Sequence, residues 1–550
     1  MLFLLCLVLL NLLAGSVYTR IDLTGEKRYT LTEQTKSVLK RAGQDVEVTV
    51  FLDGELPSAF RKLRNAARDL LEDYRAYGGG RIRVVFSNPL EGLDTREQDT
   101  VTNNLYEAGI EPTTLNIRND DGFAQKIVFP MALVRAGDRQ LPVKLLLNQS
   151  VGANYEEQIN SSVQNLEYAF TSAIEKVLSG GNPRIGFTEG NGELSDAQLD
   201  GAIKSLSGSY EVGRVNLDLI DRAGLDKLKL LVIAKPQQEF TEAQKYKLNY
   251  FVMNGGRVIW SLDQVGADLD SMGRTGEQLA FNGKLNLDDM LFMYGARINY
   301  NLLADANCTE IPISTGNAGK PGQIQMAPWV YYPLLIPDTS SNITRHIDGV
   351  RSEFVSSVDT IGVRGLRKHA LLWTSPFNKL VQTPQLLSLQ MVAEQPDPRD
   401  YASVPRMAAV LIEGEFPSVF LNRPVPEGLA EGYPLPERGK PDKMVVIGDG
   451  DIFKNQVSSR DRSAFPLGFD RFSGNNYGNG IFLLNLTDYL CGGEDLIALR
   501  SREVRMRLLD KARVRTERLV WQVVNITAPL GVLILFAIFQ HYYRRRKYAR

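Results

Sequence analysis

Residues 228–263, LKLLVIAKPQQEFTEAQKYKLNYFVMNGGRVIWSLD, decide the fold class of this chain. The run from Leu228 to Ala234 is almost wholly apolar, which is typical of a strand covered on both faces of a sheet. Thr241 to Met253 has the pattern of a helix, Asn254-Gly255-Gly256 ends it, and Arg257 to Leu262 resembles a second strand. Strand, helix and strand of these lengths predict two parallel strands in one sheet.

The same alternation continues on both sides of this stretch. Further strands are expected at Arg184 to Phe187, Glu211 to Leu217, Met407 to Ile412 and Lys443 to Gly448, and a helix is expected at Asp196 to Leu206. We therefore predict an open, mostly parallel, doubly wound α/β sheet of Rossmann-like type over residues 182–495. At about residues 305–406 the periodicity weakens and prolines accumulate, so an insertion with short strands is expected there.

A smaller α/β domain is predicted at residues 19–150. Val46, Val48 and Val50 alternate as a half-buried strand does, Ser58 to Tyr77 has helical spacing, and Ile82 to Phe86 alternates again. This βαβ pattern favours a thioredoxin-like sandwich, although no CxxC is present to support a redox role. A long helix is predicted from Tyr155 to Leu178, within residues 151–181, either as a connection between the two domains or as the first helix of the second domain.

Both ends of the chain are candidates for membrane segments. Val520 to Phe539 carries no charge, is close to the length that crosses a bilayer, and is followed by basic residues. We predict a basic stalk at 496–519, a transmembrane helix at 520–540 and a basic cytoplasmic tail at 541–550; a buried core helix is the alternative for the apolar segment. Residues 1–18 are also uncharged and predict an uncleaved anchor, with a cleaved signal peptide as the alternative.

Composition excludes several classes of protein. The 550 residues have a net charge of -1, which does not favour nucleic acid as a partner. Three cysteines and three histidines make neither a disulfide framework nor a zinc site, so no metal is expected. Whether Cys308 and Cys491 pair is left open by the sequence.

Two loops after predicted strands supply candidate ligand-binding residues. In Thr188 to Glu193 these are Glu189, Asn191 and Glu193, and in Gly448 to Asp451 they are Asp449 and Asp451. Acids and an amide at strand ends are able to hold a cation or a polar ligand. Ordinary turn and helix-capping chemistry is the simpler interpretation of both loops.

Motifs for catalysis are missing from the sequence. There is no GxxxxGK[ST] nucleotide-binding loop, no GxSxG elbow and no GxGxxG fingerprint. Neither Cys308 nor Cys491 has a nearby histidine that would serve as a base. The sequence predicts a protein that is not an enzyme, with no catalytic residues and no cofactor.

The chain resembles the GldG family, the gliding-motility-associated ABC transporter components of Bacteroidetes. The resemblance rests on YTRIDLTGEKRYTLTEQTKSVL, RIGFTEGNGE, LLVIAKPQQEFTEAQKYKLNYFVMNGGRVIWSLD, MVVIGDGDIFKNQ and NNYGNGIFLLNLTDYL, in this order, and on the closing apolar segment with its basic tail. It implies two anchors around an extracytoplasmic region, an ABC ATPase and a membrane permease as partners, and a central amidotransferase-like domain without a catalytic cysteine.

From this we expect a non-catalytic, membrane-anchored auxiliary or substrate-binding subunit of an ABC-type complex associated with gliding motility or secretion. It would lie in the inner membrane with its large domain in the periplasm, in contact with membrane lipid, and a homodimer is compatible with the sequence. The alternative is a membrane-tethered ligand- or peptide-binding protein that acts without an ABC partner. A hydrolase of amidotransferase type is discouraged by the missing Cys–His pair.

Overall fold

The computed structural model describes residues 30–548 with internal gaps. The gaps are 108, 120–121, 148–154, 180, 316–322, 346, 394–396, 422, 428, 430–431, 437, 459, 493–498 and 500–510. The chain divides into two compact units, Met1–Arg502 and Glu503–Arg550. The expected anchor at residues 1–18 and most of the expected stalk lie outside the described residues.

The N-terminal part of the first unit is a four-stranded sheet with helices and a separate hairpin. In chain order its elements are α1 (Glu33–Arg41), β1 (Val46–Val50), α2 (Ser58–Tyr77), β2 (Ile82–Phe86), α3 (Thr95–Glu107), β3 (Thr113–Asn119), β4 (Gly122–Val128), β5 (Met131–Ala136), β6 (Arg139–Lys144) and α4 (Tyr155–Leu178). The strand order is β2-β1-β5-β6, with β1 and β2 parallel and the remaining pairs antiparallel. The thioredoxin-like interpretation stays a prediction.

Thr32 and Glu167 together fix the start of the first helix. Thr30 and Glu33 fit a capping box, but the N-cap is Thr32, whose side chain accepts a hydrogen bond from the backbone amide of Thr35. The Glu167 carboxylate, on α4, accepts hydrogen bonds from the backbone N–H and from the hydroxyl of Thr32, both at 2.8 Å, and these bonds hold the N-terminal end of the helix. A long-range contact therefore outweighs the local capping motif.

The central part begins with the strands and helices that the sequence predicted, and one short helix of 4 residues that it did not predict lies among them. They are β7 (Arg184–Glu189), α5 (Asp196–Ser207), β8 (Glu211–Asn216), α6 (Arg222–Leu225), β9 (Leu228–Ala234), α7 (Glu242–Met253) and β10 (Arg257–Ser261). The prediction that β9 is buried on both faces is confirmed. Leu230 and Val232 belong to one hydrophobic cluster, while Leu231 and Ile233 belong to another on the opposite face.

The region after β10 is built from strands of 2 to 15 residues and two short helices. They are β11 (Val265–Gly266), α8 (Leu269–Thr275), β12 (Glu277–Asn282), α9 (Asp288–Met293), β13 (Ala296–Ile298), β14 (Asn301–Asp305), β15 (Cys308–Thr315), β16 (Gln323–Pro337), β17 (Val350–Arg351), β18 (Val358–Thr360), β19 (Leu366–Trp373), β20 (Asn378–Gln382) and β21 (Gln385–Ser388). Two 3-10 helices follow, and then β22 (Met407–Glu415), β23 (Pro441–Ile447) and α10 (Asn479–Leu490).

The large sheet has the order β15-β16-β19-β22-β23-β10-β9-β7-β8. The pairs from β23 to β8 are parallel, whereas those from β15 to β23 are antiparallel. A mixed α/β fold is therefore confirmed, but the expectation of a mostly parallel sheet holds for only one half of it. The segment interpreted as an insertion supplies β15, β16 and β19, which extend this sheet directly.

The second unit contains the helix α11 (Lys511–Tyr548). Among the described residues, one helix is long and apolar enough to cross a membrane, and it is the segment Val520–Lys547 of α11. Its apolar side chains, such as Leu533 and Phe536, are exposed.

Candidate functional site

Both loops singled out in the sequence lie at the carboxyl ends of parallel strands in the large sheet. Residues 188–193 include the end of β7 and its following loop, and residues 448–451 follow β23. Strands β9 and β10 lie between them, so the two groups are separated by three strand spacings of about 4.8 Å, or roughly 14 Å. The five candidate residues therefore belong to two separate sites.

The first loop lies at the switch point of the sheet. The order β8-β7-β9-β10-β23 changes direction between β7 and β9, where doubly wound sheets bind their ligands. Here the crevice is closed by the chain itself, because the Asn191 carbonyl accepts hydrogen bonds from the amides of Gln237 at 2.8 Å and Gln238 at 2.9 Å. The Asn191 side chain donates to Gln244 Oε1 at 3.1 Å. These contacts make Asn191 a structural link between the loop and the start of α7.

The two glutamates of this loop have different surroundings. Glu193 Oε2 accepts a hydrogen bond from the Asn191 amide at 2.7 Å, while Glu189, which is partly exposed, lies 3.3 Å from Arg214 Nε. In the described part of the chain, four buried atoms here form no hydrogen bond: Thr188 Oγ1, Asn191 Oδ1, Glu193 Oε1 and Arg214 Nη1. Buried polar groups usually have partners, so this loop retains unused hydrogen-bonding capacity.

The second site is centred on Asp449, which is fully buried. Its two carboxylate oxygens accept backbone hydrogen bonds, Oδ1 from Asp451 at 2.8 Å and Oδ2 from Glu353 at 3.1 Å. Its own carbonyl accepts a hydrogen bond from the Ser261 hydroxyl at 2.6 Å. Asp449 thereby joins the ends of β10 and β23 to the segment after β17.

Lys235 and Asp263, which the sequence did not single out, complete this site. Lys235 follows β9 and places its ammonium against Asp451 and, at 3.2 Å, against Asp263 Oδ2. Asp263 follows β10 by two residues and accepts a hydrogen bond from the Gly450 amide at 2.5 Å. Lys235 has a φ of 54°, a left-handed conformation that is uncommon for a residue other than glycine.

Glu353 connects two further basic side chains to the site. Its carboxylate lies 2.7 Å from Arg351 Nη1 and 3.2 Å from Lys454 Nζ. Lys454 Nζ also lies 3.0 Å from Asp451 Oδ1. We call the whole set the charge network; its members are Lys235, Asp263, Arg351, Glu353, Asp449, Asp451 and Lys454.

The acidic part of the charge network has the donor set of a cation site. Oxygen atoms of Asp263, Asp449 and Asp451 lie within 4.8 Å of one another, close enough to ligate one ion. The Lys235 ammonium, however, contacts both Asp263 and Asp451 from within the chain. An internal ammonium therefore supplies the positive charge that a metal ion would bring, and we assign the network a structural role.

Burial and ion pairing together determine the pKa values of the carboxyl groups in the charge network. Burial raises the pKa of Asp449 well above its usual range, and the neighbouring Asp263 and Asp451 add to this shift. Burial would also raise the pKa of Glu353, but Lys454 and Arg351 outweigh it and lower that pKa to about 2. The network contains four carboxyl groups, of Asp263, Glu353, Asp449 and Asp451, and three basic side chains, of Lys235, Arg351 and Lys454.

Two glycines allow the backbone to approach closely at this site. A Cβ atom on Gly448 would lie 2.2 Å from the Ser356 carbonyl oxygen. A Cβ atom on Gly450 would lie 2.9 Å from the Lys235 side chain. The GDGD sequence therefore has a packing reason for its glycines as well as an electrostatic reason for its aspartates.

The two described cysteines are not arranged for catalysis or for pairing. Cys308 and Cys491 are free thiols, and they pack against different hydrophobic clusters. Burial raises the pKa of Cys308 to about 11 and that of Cys491 to about 12, so both are protonated at neutral pH. A thiolate is the nucleophilic form of cysteine, so neither side chain is activated.

Comparisons with known proteins identify the family of the central part of the chain. The family described as "ABC-type uncharacterized transport system", an auxiliary component family, matches residues 182–486, which is more than half of the chain. The chain belongs to this family. A domain of unknown function matches residues 25–135.

A full-length relative and a solved structure are also similar to the chain. An uncharacterized protein of Borreliella burgdorferi is 19% identical over 544 residues, which cover 96% of this chain and 94% of that protein. The solved structure named "mmIFT52 N-terminal domain" is 15% identical, with a TM-score of 0.32, and the likeness covers 56% of this chain and 98% of that one. A TM-score this low does not define a shared fold.

Family membership agrees with a non-enzymatic, accessory role beside the other subunits of a transporter. Together with the apolar helix Val520–Lys547, it indicates association with a membrane.

Proposed function

We propose that this protein is a non-catalytic, membrane-anchored subunit of an ABC-type transport complex, with its α/β body outside the cytoplasm. The observation that carries the proposal is the family match over residues 182–486. The sequence lacks a nucleotide-binding loop, so an ATPase partner would supply the energy and a permease would supply the pathway.

Anchoring is assigned to the exposed apolar helix. Val520 to Phe539 fits the hydrocarbon core, and Arg544, Arg545, Arg546 and Lys547 lie immediately beyond it. Basic residues flank the span on both sides, in the stalk at 496–519 and at 544–547, so the proposed periplasmic side of the body rests on the resemblance to the GldG family and not on the charge rule. In this proposal the apolar residues 1–18 form a second anchor in the same inner membrane.

The GldG-like role in gliding or secretion is a finer part of the same proposal. It is supported by the order of the motifs along the chain, from YTRIDLTGEKRYTLTEQTKSVL to NNYGNGIFLLNLTDYL.

The body has a feature suited to transmitting motion between its two ends. On α4, Glu167 holds Thr32 at the start of the described chain, and the next residue, Tyr168, donates a hydrogen bond to Asp488 near the end of α10. Tyr168 also packs against Leu499. The segments nearest to the two proposed anchors therefore meet on one helix, which would pass displacement of either anchor into the body.

We also assign the apolar helix a contact with the permease, and replacement of the helix tests that contact. Residues 520–539 would be exchanged for an unrelated spanning helix, with the body and the basic residues 544–547 retained. We expect the chain to stay in the membrane but to lose its transporter partners, because the native helix is proposed to contact the permease. Unchanged recovery of the partners would show that this helix only tethers the body.

A second candidate function is the binding of a soluble ligand or peptide at the switch point. Four buried polar atoms, three in residues 188–193 and one on Arg214, form no hydrogen bond within the described part of the chain. They favour this function, because a ligand that displaced the contacts of Asn191 with Gln237 and Gln238 would satisfy them. The test is a ligand-dependent thermal shift that is lost in Glu189→Ala. A shift that persists in this variant would place the ligand elsewhere.

A further inference from the structure

A separate cavity lies at the carboxyl ends of β1 and β2 in the N-terminal sheet. Its volume is about 310 Å³. The residues that line it come from the loops after both strands, from α3 and from the end of β4: Phe51, Asp53, Glu55, Leu56, Asn88, Leu90, Gln98, Lys126, Ile127, Val128 and Phe129. The carboxyl ends of parallel strands are where α/β sheets usually bind ligands.

The apolar side of the cavity is formed before any ligand enters. Phe129 is buried and packs in one cluster with Phe51 and Leu90, which line the same cavity. Ile127, in contrast, is 39% exposed. An apolar wall that is already assembled favours binding, because little ordering of side chains is required.

The charged side chains of the cavity fall into two kinds. Asp53 is held by the protein, with Arg64 Nη1 at 3.1 Å and Arg68 Nη2 at 3.8 Å. Glu55 and Lys126 form neither a hydrogen bond nor an ion pair within the part of the chain that the structure describes. The cavity thus presents one carboxylate and one ammonium that have no partner among the described residues, and both lie beside an apolar wall.

We propose that this cavity binds a zwitterionic ligand of amino-acid or dipeptide size with apolar side chains. The ammonium of the ligand pairs with Glu55, its carboxylate pairs with Lys126, and its side chains contact Phe51 and Phe129. The volume is at the lower end of the range of about 300–1,000 Å³ that ligand pockets occupy, which excludes a long peptide from full enclosure. Complementary charges at the two ends fix the orientation of the ligand.

This site is independent of the transporter role and of the large sheet. It lies within residues 25–135, the segment matched by a domain of unknown function. The inference therefore gives that segment a binding activity of its own, which is testable whether or not an ABC partner exists.

Binding of leucyl-leucine with free termini tests the proposal. The full chain in lipid nanodiscs would be titrated and followed by saturation-transfer NMR, with N-acetyl-leucyl-leucinamide as the matched probe that has the same side chains but no terminal charges. We expect saturable binding of the free dipeptide and much weaker binding of the blocked one, because only the first has charges for Glu55 and Lys126.

Variants locate the binding and separate it from nonspecific contact with lipid. Glu55→Lys and Lys126→Glu should each weaken binding by about tenfold. Glu55→Gln, which removes the charge with little change of shape, should weaken it in the same direction. Lys284→Glu reverses a charge on an exposed lysine outside the cavity and should leave binding unchanged. Absence of saturable binding, equal binding of the two probes, or insensitivity to both charge reversals would overturn the proposal.

Discussion

Tyr168 on α4 donates a hydrogen bond to the carboxylate of Asp488 on α10, across 320 positions of the chain. Asp488 also accepts a hydrogen bond from Tyr210 and pairs with Lys176 Nζ at 3.0 Å. Asp488, Tyr168 and Tyr210 are buried. Since α4 packs in the hydrophobic cluster of the N-terminal sheet and α10 in that of the large sheet, this contact joins the two sheets.

Removal of the Asp488 carboxylate should loosen this junction. Asp488→Ala leaves the Lys176 ammonium and two tyrosine hydroxyls without their acceptor, and breaking a buried pair of this kind costs about 3–5 kcal/mol. The free energy of unfolding from chemical denaturation measures the loss. Asp200→Ala is the control, because its partner Lys204 is largely exposed and the pair is worth about 0–1 kcal/mol. Equal losses in the two variants would argue against a junction at Asp488.

Removal of Lys235 should destabilise the charge network. In Lys235→Met the carboxylates of Asp263 and Asp451 lose their shared ammonium while they stay largely buried, so we expect a loss of about 3–5 kcal/mol in the free energy of unfolding. If the three aspartates act as a cation site once the ammonium is gone, added Mg²⁺ or Ca²⁺ would restore part of the stability of this variant. A loss below about 1 kcal/mol would contradict the structural role assigned to Lys235.

Glu353 should make stability depend on pH in the acid range. Its folded pKa of about 2 lies below the ordinary value of 4.5, because Lys454 and Arg351 outweigh the effect of burial. A lowered carboxylate pKa contributes stability that is complete above the unfolded pKa and is lost as the pH falls from about 4.5 toward about 2. Glu353→Gln should be less stable than the native chain at neutral pH, and the difference should shrink across this window. A constant difference in the free energy of unfolding would contradict the shift.

A methyl group at Gly448 should disrupt the turn after β23. Its Cβ would lie 2.2 Å from the Ser356 carbonyl oxygen, so the backbone has to move, at a cost of about 1–3 kcal/mol. Thermal unfolding of Gly448→Ala measures the effect. The control is Gly273→Ala in α8, where no atom lies within 4 Å of the added methyl group. The account of this turn fails if the two variants unfold at the same temperature.

Much of the fold follows from local patterns in the sequence. The apolar run of β9, the helix that begins after Thr241 and the alternating valines of β1 are found where the patterns indicate them. The half of the large sheet that is antiparallel was not foreseen. Prolines such as Pro312 and Pro333 lie inside β15 and β16 and conceal a strand pattern there, and β16 pairs with β19 only after the long connection from Pro337 to Leu366.

The sequence identified only some of the residues of the candidate site. Asp449 and Asp451 were evident from a loop that contains glycines, but Lys235 and Asp263 follow equally clear strands and belong to the same network. Applying the strand-end rule to every parallel strand would have identified them. Glu353 and Lys454 could not be found in this way, since only the tertiary fold brings Glu353, after β17, against Lys454.

Affinity purification of the full-length chain from its native membrane, followed by mass spectrometry, tests the transporter role most directly. The proposal predicts recovery of an ABC ATPase and a multi-span permease in a fixed ratio to this chain. Recovery of the chain without either subunit would contradict the transporter role and favour a free-standing, membrane-tethered binding protein.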